Sequence, residues 1–218
     1  MNNKPIIGIL ATSNYRLTDD SFKDTYRYGN NYIKRIIDNG GIPLLIPLYN
    51  NTIIHESLDM CDGLLLPGGE QVLPVNFDII DYFYKKDKPI LGICLGMQTL
   101  GMYSIREKRI IKKIDTGVNH WFNEGIRDNY TLVHKNKISK DSKLYNIIGK
   151  EEVKVNSIHN YCISEVGKDF NISALSSDGV IEGIESKDKK FVIGIQWHAE
   201  VLDEFNMIFE KFINACKK

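Results

Sequence analysis

Proline is scarce in this sequence: six in 218 residues. With no Pro/Ser-rich linker, low-complexity tract or internal repeat, the span 1–218 is expected to form a single domain. Net charge is absent too, with 28 Lys and Arg balancing 28 Asp and Glu. That removes the electrostatic footprint of a nucleic-acid or anionic-membrane partner, so neither is expected. No apolar stretch approaches the roughly 20 residues that span a bilayer, and the first residues lack the tripartite pattern of a secretory leader. Cysteine is sparse and scattered at Cys61, Cys94, Cys162 and Cys216, with no close pair and no Cys/His spacing of a zinc site. Free thiols, a cytoplasmic location and no bound metal are the corresponding expectations.

Short apolar runs are plentiful in the first half, at 6–10, 42–47, 63–66 and 90–94. Continuous apolar runs suit strands covered on both faces, hence a parallel sheet. Between the first two lies a helical stripe of Tyr28, Tyr32, Ile33, Ile36 and Ile37, closed by Asn39-Gly40-Gly41. Alternation of strand and helix predicts an α/β fold. The second half reads as shorter strands at 130–134, 153–156, 171–175 and 180–185, partly alternating and so partly antiparallel. A final apolar run at 191–195 leads to Gln196-Trp197-His198. A closing helix carries Val201, Phe205, Ile208, Phe209, Phe212, Ile213 and Cys216.

The strongest chemical signal is Gly92-Ile93-Cys94-Leu95-Gly96, directly after the apolar run Pro89-Ile90-Leu91. A nucleophile between two glycines at a strand-to-helix turn stands above the sheet edge, and the helix that follows presents its positive end to the sulfur. A lone cysteine at a strand end is ordinarily a structural thiol; the paired glycines favour the nucleophile. Such a cysteine needs a base and an orienting group. Trp197-His198-Ala199-Glu200 supplies both, and an extended segment would set His198 and Glu200 on one side. Leu66-Pro67-Gly68-Gly69 follows another apolar run on the same expected rim. Gly69 and Leu95 backbone N–H groups are the natural oxyanion donors.

Together, Pro67-Gly68-Gly69, Gly92-Ile93-Cys94-Leu95-Gly96-Met97-Gln98 and Trp197-His198-Ala199-Glu200 resemble the class I glutamine amidotransferase-like family across essentially the whole chain. The resemblance implies a flavodoxin-like three-layer α/β sandwich, with a mainly parallel central sheet and an antiparallel portion in the second half. It implies a Cys94–His198–Glu200 triad acting on a small-molecule γ-glutamyl substrate through a thioester on Cys94, with no cofactor. It also points Gly68, Gln98 and, from the Asn156-Ser157-Ile158-His159-Asn160 segment, Ser157, His159 and Asn160 at the substrate. Within the family, the stretches 39–47, 156–159 and 178–185 look like the γ-glutamyl-γ-aminobutyrate hydrolase branch, peptidase C26. Leu95 in place of that branch's arginine, the short interval from Gly69 to Cys94, and Ala199 in place of proline depart from it. The alternatives are a glutaminase subunit feeding ammonia to a synthetase partner and a non-catalytic regulatory module. A homodimer is compatible with the hydrolase reading.

Cys61, Cys162 and Cys216 have no attending base in sequence and read as core or surface thiols. His159 fits a structural histidine as well as a substrate contact. His55, His120 and His134 have polar neighbours and are expected to be solvated. Asp19-Asp20 and Lys85-Lys86-Asp87-Lys88 read as surface charge clusters; Tyr26, Tyr28 and Tyr32 are suited to line a pocket, but their helical spacing makes them core candidates first.

Overall fold

A computed structural model describes residues 4–13, 26–49, 52–106, 109–121 and 130–217. The Asp19-Asp20 pair and the Tyr26 side chain lie outside what is described. Nine strands form the main sheet: β1 Ile6–Ile9, β2 Ile42–Leu45, β3 Gly63–Leu66, β4 Ile90–Ile93, β5 His134–Ile138, β6 Glu152–Val155, β7 Phe170–Ser176, β8 Ile181–Ser186 and β9 Val192–Ile195. The helices are α1 Asn30–Asp38, α2 His55–Asp59, α3 Val75–Lys85, α4 Leu95–Ile105, α5 Lys143–Ile148 and α6 Asn206–Ala215.

The strand order is β6-β5-β7-β8-β9-β4-β3-β1-β2. From β2 to β9 all pairings are parallel; from β9 to β6 all are antiparallel. The sheet is therefore mainly parallel in the half that the apolar runs mark and antiparallel where alternation begins. Side chains alternate between its two faces. Leu65, Leu91, Ile93, Ile193 and Ile195 join a core under α1 and α6 with Trp197, Phe209 and Phe212. Leu64, Leu66, Ile90 and Val192 join the opposite core with Ile79, Phe83 and Met97. Helices over both faces give the three-layer flavodoxin-like sandwich. Each fully buried Leu, Ile or Phe contributes roughly 1.5–3 kcal/mol.

Some expectations shift. β2 is an edge strand, and Ile42 and Leu45 keep over 40% exposure, so that run is not covered on both faces. The strand expected at 130–134 starts at His134. Val201 and Phe205 fall in two 3₁₀ turns, Ala199–Val201 and Asp203–Phe205, ahead of α6. Helix α4 is buried from Gly96 to Tyr103, with no solvent face. It is walled by the sheet, by α3 and by the antiparallel ribbon of Ile111–Lys113 with Tyr161–Ile163. Its apolar surround matches its sequence, in which Gln98 and Thr99 are the only strongly polar residues before Ser104.

Candidate active site

Adjacent parallel strands β3, β4 and β9 end on one rim, with β4 in the middle. The chain leaving β3 carries Gly68 and Gly69, that leaving β4 carries Cys94, and that leaving β9 carries His198. Neighbouring strands thus bring the three motifs to one place.

Cys94 occupies the turn between β4 and α4 with φ 52° and ψ −108°. A positive φ is costly for a side-chain-bearing residue and is held here by its surroundings. Its N–H donates to the Ile195 carbonyl at 2.8 Å, and its carbonyl accepts from Gln98 N–H at 3.1 Å. The flanking glycines are required by close approach. A Cβ on Gly96 would stand 2.1 Å from the Leu66 carbonyl oxygen, and one on Gly92 would stand 2.7 Å from the Gly96 backbone. The G-x-C-x-G pattern is therefore the steric condition for a cysteine on this turn.

His198 Nδ1 lies 2.7 Å from Glu200 Oε1. The two are joined by the 3₁₀ turn at Ala199–Val201, rather than by the extended segment expected from sequence. Asn156 clamps the His198 backbone from both sides: its Oδ1 accepts from His198 N–H at 2.9 Å, and its Nδ2 donates to the His198 carbonyl at 3.1 Å. Burial opposes charging of His198, but the Glu200 carboxylate and then the Cys94 sulfur overcome it and hold its pKa well above the ordinary histidine value. Burial pushes Cys61 up to about 11 and raises Cys162 and Cys216 as well.

Arg35 escaped the sequence reading, and Tyr32, expected there as a core residue, also touches the site. Arg35, buried on α1, donates from Nε to the Glu200 carbonyl at 2.9 Å and pairs with Asp203 at 2.8 Å, fixing the turn that carries Glu200. Tyr32, one turn earlier, accepts from Gly68 N–H at 3.0 Å. The available signal was the helical stripe: Arg35 sits three residues after Tyr32 and one before Ile36, so it falls on the buried face.

A pocket of about 730 Å³ opens over Cys94, within the size range of small-molecule sites. Of the residues singled out from sequence, Gly69, Cys94, Leu95, Gln98, His159, Asn160 and His198 line it. Buried Glu200 stands behind His198. The Gln98 amide donates to the Tyr161 carbonyl at 2.9 Å and to Gln196 Oε1 at 3.1 Å, which ties α4 to the pocket wall. Gly68 and Ser157 are not among the lining residues. Gly68 lies against His198 and Tyr32, and the buried Ser157 hydroxyl donates to the His120 carbonyl at 2.8 Å.

The expectation that His120 and His134 are solvated is wrong. Both are buried, and with His159 they surround the fully buried Glu182 of β8. The polar neighbours that suggested exposure belong to an antiparallel strand and a loop whose alternate residues turn inward, as the buried–exposed alternation of β5 shows. His55 is exposed as expected. Among the described residues, this His–Glu group is the one set of clustered side chains suited to a metal ion.

The three-layer α/β sandwich is the fold of class I glutamine amidotransferase-like domains. The sequence profile of the peptidase C26 family matches residues 5–79 and 75–200, and the chain belongs to that family. It is 30% identical to a glutamine amidotransferase-like protein of Rickettsia prowazekii over 100% of this chain and 99% of that one. It is 25% identical to the γ-glutamyl-γ-aminobutyrate hydrolase PuuD of Escherichia coli over 99% of this chain and 94% of the other. Among solved structures, the glutaminase domain of Trypanosoma brucei CTP synthase with bound acivicin shares the fold. It has a TM-score of 0.67 and 15% identity, over 97% of this chain and 93% of that domain. No helix among the described residues is long and apolar enough to cross a membrane.

Proposed function

We propose that the chain is a cysteine-dependent hydrolase of γ-glutamyl amide bonds, with Cys94, His198 and Glu200 as its triad. The observation that carries this reading is the strained Cys94 at the floor of a substrate-sized pocket that His198 also lines, with His198 bonded to Glu200. The raised His198 pKa supports an imidazolium beside Cys94 as the resting state.

In this mechanism the Cys94 thiolate attacks the γ-carbonyl carbon, and the carbonyl oxygen becomes an oxyanion held by the Gly69 and Leu95 N–H groups. His198 gives its proton to the departing nitrogen as the C–N bond breaks, leaving a γ-glutamyl thioester and neutral imidazole. Water then attacks the thioester while His198 takes its proton. Collapse releases glutamate and returns the thiolate facing an imidazolium. Glu200 keeps Nε2 of the imidazole toward the sulfur by accepting from Nδ1–H. Gln98 and Asn160 are proposed to meet the glutamyl amino-acid end, with His159 forming the pocket wall beside them and Gly68 and Ser157 shaping the turns behind it. The scheme requires no cofactor and is consistent with one cytoplasmic domain spanning 1–218.

The second reading, a glutaminase subunit working with a synthetase, is favoured by one comparison. The chain is 29% identical to a CTP synthase of Christiangramia forsetii over 77% of its length and 36% of that protein. Hydrolysis of glutamine, γ-glutamyl-γ-aminobutyrate and other γ-glutamyl amides by the purified chain tests both. Cys94-dependent turnover of one amide by the chain alone supports the hydrolase. Slow glutamine cleavage alone supports the subunit, and turnover unaffected by Cys94→Ala overturns both.

A further inference from the structure

The buried histidine–glutamate group beside the pocket takes no part in the proposed reaction. It is built from four separated segments: His120 from the loop after the Ile111–Lys113 strand, His134 at the start of β5, His159 from the loop before Tyr161–Ile163, and Glu182 on β8. Their exposures are 4, 6, 5 and 0%, so water does not solvate them.

The hydrogen-bond partners fix which nitrogen faces inward. The Tyr161 carbonyl can only accept, so His159 Nδ1, 3.1 Å away, carries a hydrogen, and in the neutral ring Nε2 presents a lone pair. The Asp178 carboxylate likewise only accepts, so His120 Nε2, at 3.0 Å, carries a hydrogen, and in the neutral ring Nδ1 presents a lone pair. Both lone pairs point at the ionised Glu182, with Oε1 at 3.3 Å from His120 Nδ1 and 3.4 Å from His159 Nε2. His134 Nε2 lies 3.7 Å from the same oxygen. None of these four atoms has a hydrogen-bond partner among the described residues. Acceptors facing a carboxylate without water repel one another unless positive charge stands between them. Protons alone would pull the atoms into hydrogen bonds of about 2.7–3.2 Å.

The three separations suit an ion better. A tetrahedral ion bound at about 2.0–2.1 Å separates its ligands by about 3.3–3.4 Å. All four atoms lie within 4.8 Å of one another, so a modest contraction closes the set. Three of the four side chains also have the outer contacts of metal ligands. His120 is backed by a carboxylate and His159 by a backbone carbonyl, while Glu182 Oε2 accepts from Asn136 Nδ2 at 3.2 Å.

We propose that His120, His134, His159 and Glu182 form a closed, four-coordinate site for a zinc-class divalent ion. Three imidazoles and one carboxylate select such an ion over magnesium or calcium, and four protein ligands leave no open position for water activation. The role is structural. His159, Asn160 and Trp121 line the catalytic pocket, and the ion pins the two loops that carry them to β5 and β8. The site stands independently of the reading of the activity.

The test uses the full chain carrying Cys94→Ala, so that the active-site thiol cannot bind metal. The protein is stripped with a chelator and titrated with Zn²⁺ against a chromophoric competitor, and separately with Co²⁺. Expected are one equivalent of Zn²⁺ bound with Kd below about 1 µM, and intense visible Co²⁺ bands of a tetrahedral site without a thiolate charge-transfer band. The isosteric Glu182→Gln should weaken Zn²⁺ binding at least about 100-fold, whereas His55→Ala should leave it unchanged. If Glu182→Gln fails to fold by circular dichroism, His134→Ala takes its place. Failure of the parent chain to take up one equivalent overturns the proposal, as does a weak octahedral Co²⁺ spectrum or uptake that survives loss of the ligand.

Discussion

The parallel and antiparallel halves of the sheet each gather polar side chains, but by opposite means. At the parallel rim, chemistry follows from local motif. Cys94, Gly68-Gly69 and His198 each leave the end of an apolar strand, and strand order β9-β4-β3 makes them neighbours. In the antiparallel half, His120, His134, His159 and Glu182 come from four segments with no common motif; the register of β5, β7 and β8 places His134 and Glu182, and two loops bring His120 and His159 to them. The first group keeps an open face on a pocket. The second is buried, with only His159 reaching the pocket wall. A site that must meet substrate stays at strand ends, whereas a site that fastens loops can lie between layers.

If the two groups are separable in this way, the largest effect belongs to the rim. Cys94→Ala should abolish amide turnover, a loss of about 10⁴-fold or more, with little change in melting temperature. Cys216→Ala, remote and buried, should leave turnover nearly intact. Equal losses in the two variants would dissolve the distinction. Glu200→Gln keeps the shape but not the charge beside His198, and kcat should fall by about 10²–10⁴-fold.

Stability effects sharpen the contrast. Gly96→Ala should cost about 3 kcal/mol or more, or prevent folding, since its Cβ would meet the Leu66 carbonyl. Gly117→Ala, with open space around it, should change stability by less than about 0.5 kcal/mol. Denaturant titration of both variants checks this. Arg35→Met removes the hydrogen bond to the Glu200 carbonyl. Arg35 is a positioning residue, so kcat should fall by about 10-fold with KM nearly unchanged. A fall in stability alone would make Arg35 merely structural.

The smallest expected effect concerns pH. Folding raises the His198 pKa, so the stabilisation from its charged form is complete below the unfolded value of about 6.5 and is lost as pH rises through the folded value. Relative to His198→Asn, the parent chain should lose melting temperature on the alkaline side. Parallel curves across that range would contradict a charged His198 in the folded protein.

The same contrast explains what could be read from sequence. Strands β3 and β4 were legible almost to the residue because a strand covered on both faces is continuously apolar. The G-x-C-x-G turn was legible because its glycines are a steric necessity. The pairing of His198 with Glu200 was legible, but its geometry was not, since the i, i+2 spacing serves a strand and a 3₁₀ turn alike. Arg35 was hidden because a charged residue on a helix reads as exposed, whereas here the Glu200 carbonyl, Asp203 and Asn206 satisfy its guanidinium. His120 and His134 were misplaced for a related reason. Their burial depends on tertiary partners, Asp178 and Glu182, that lie 58 and 48 residues away, respectively.

The most direct test of the central claim is intact-mass and peptide mass spectrometry of the chain quenched in acid during turnover of a γ-glutamyl amide. The account predicts one γ-glutamyl group, labile to hydroxylamine, on the peptide containing Cys94, and none on Cys94→Ala. Turnover with no adduct on Cys94, or an adduct on Cys61, Cys162 or Cys216 instead, would contradict it.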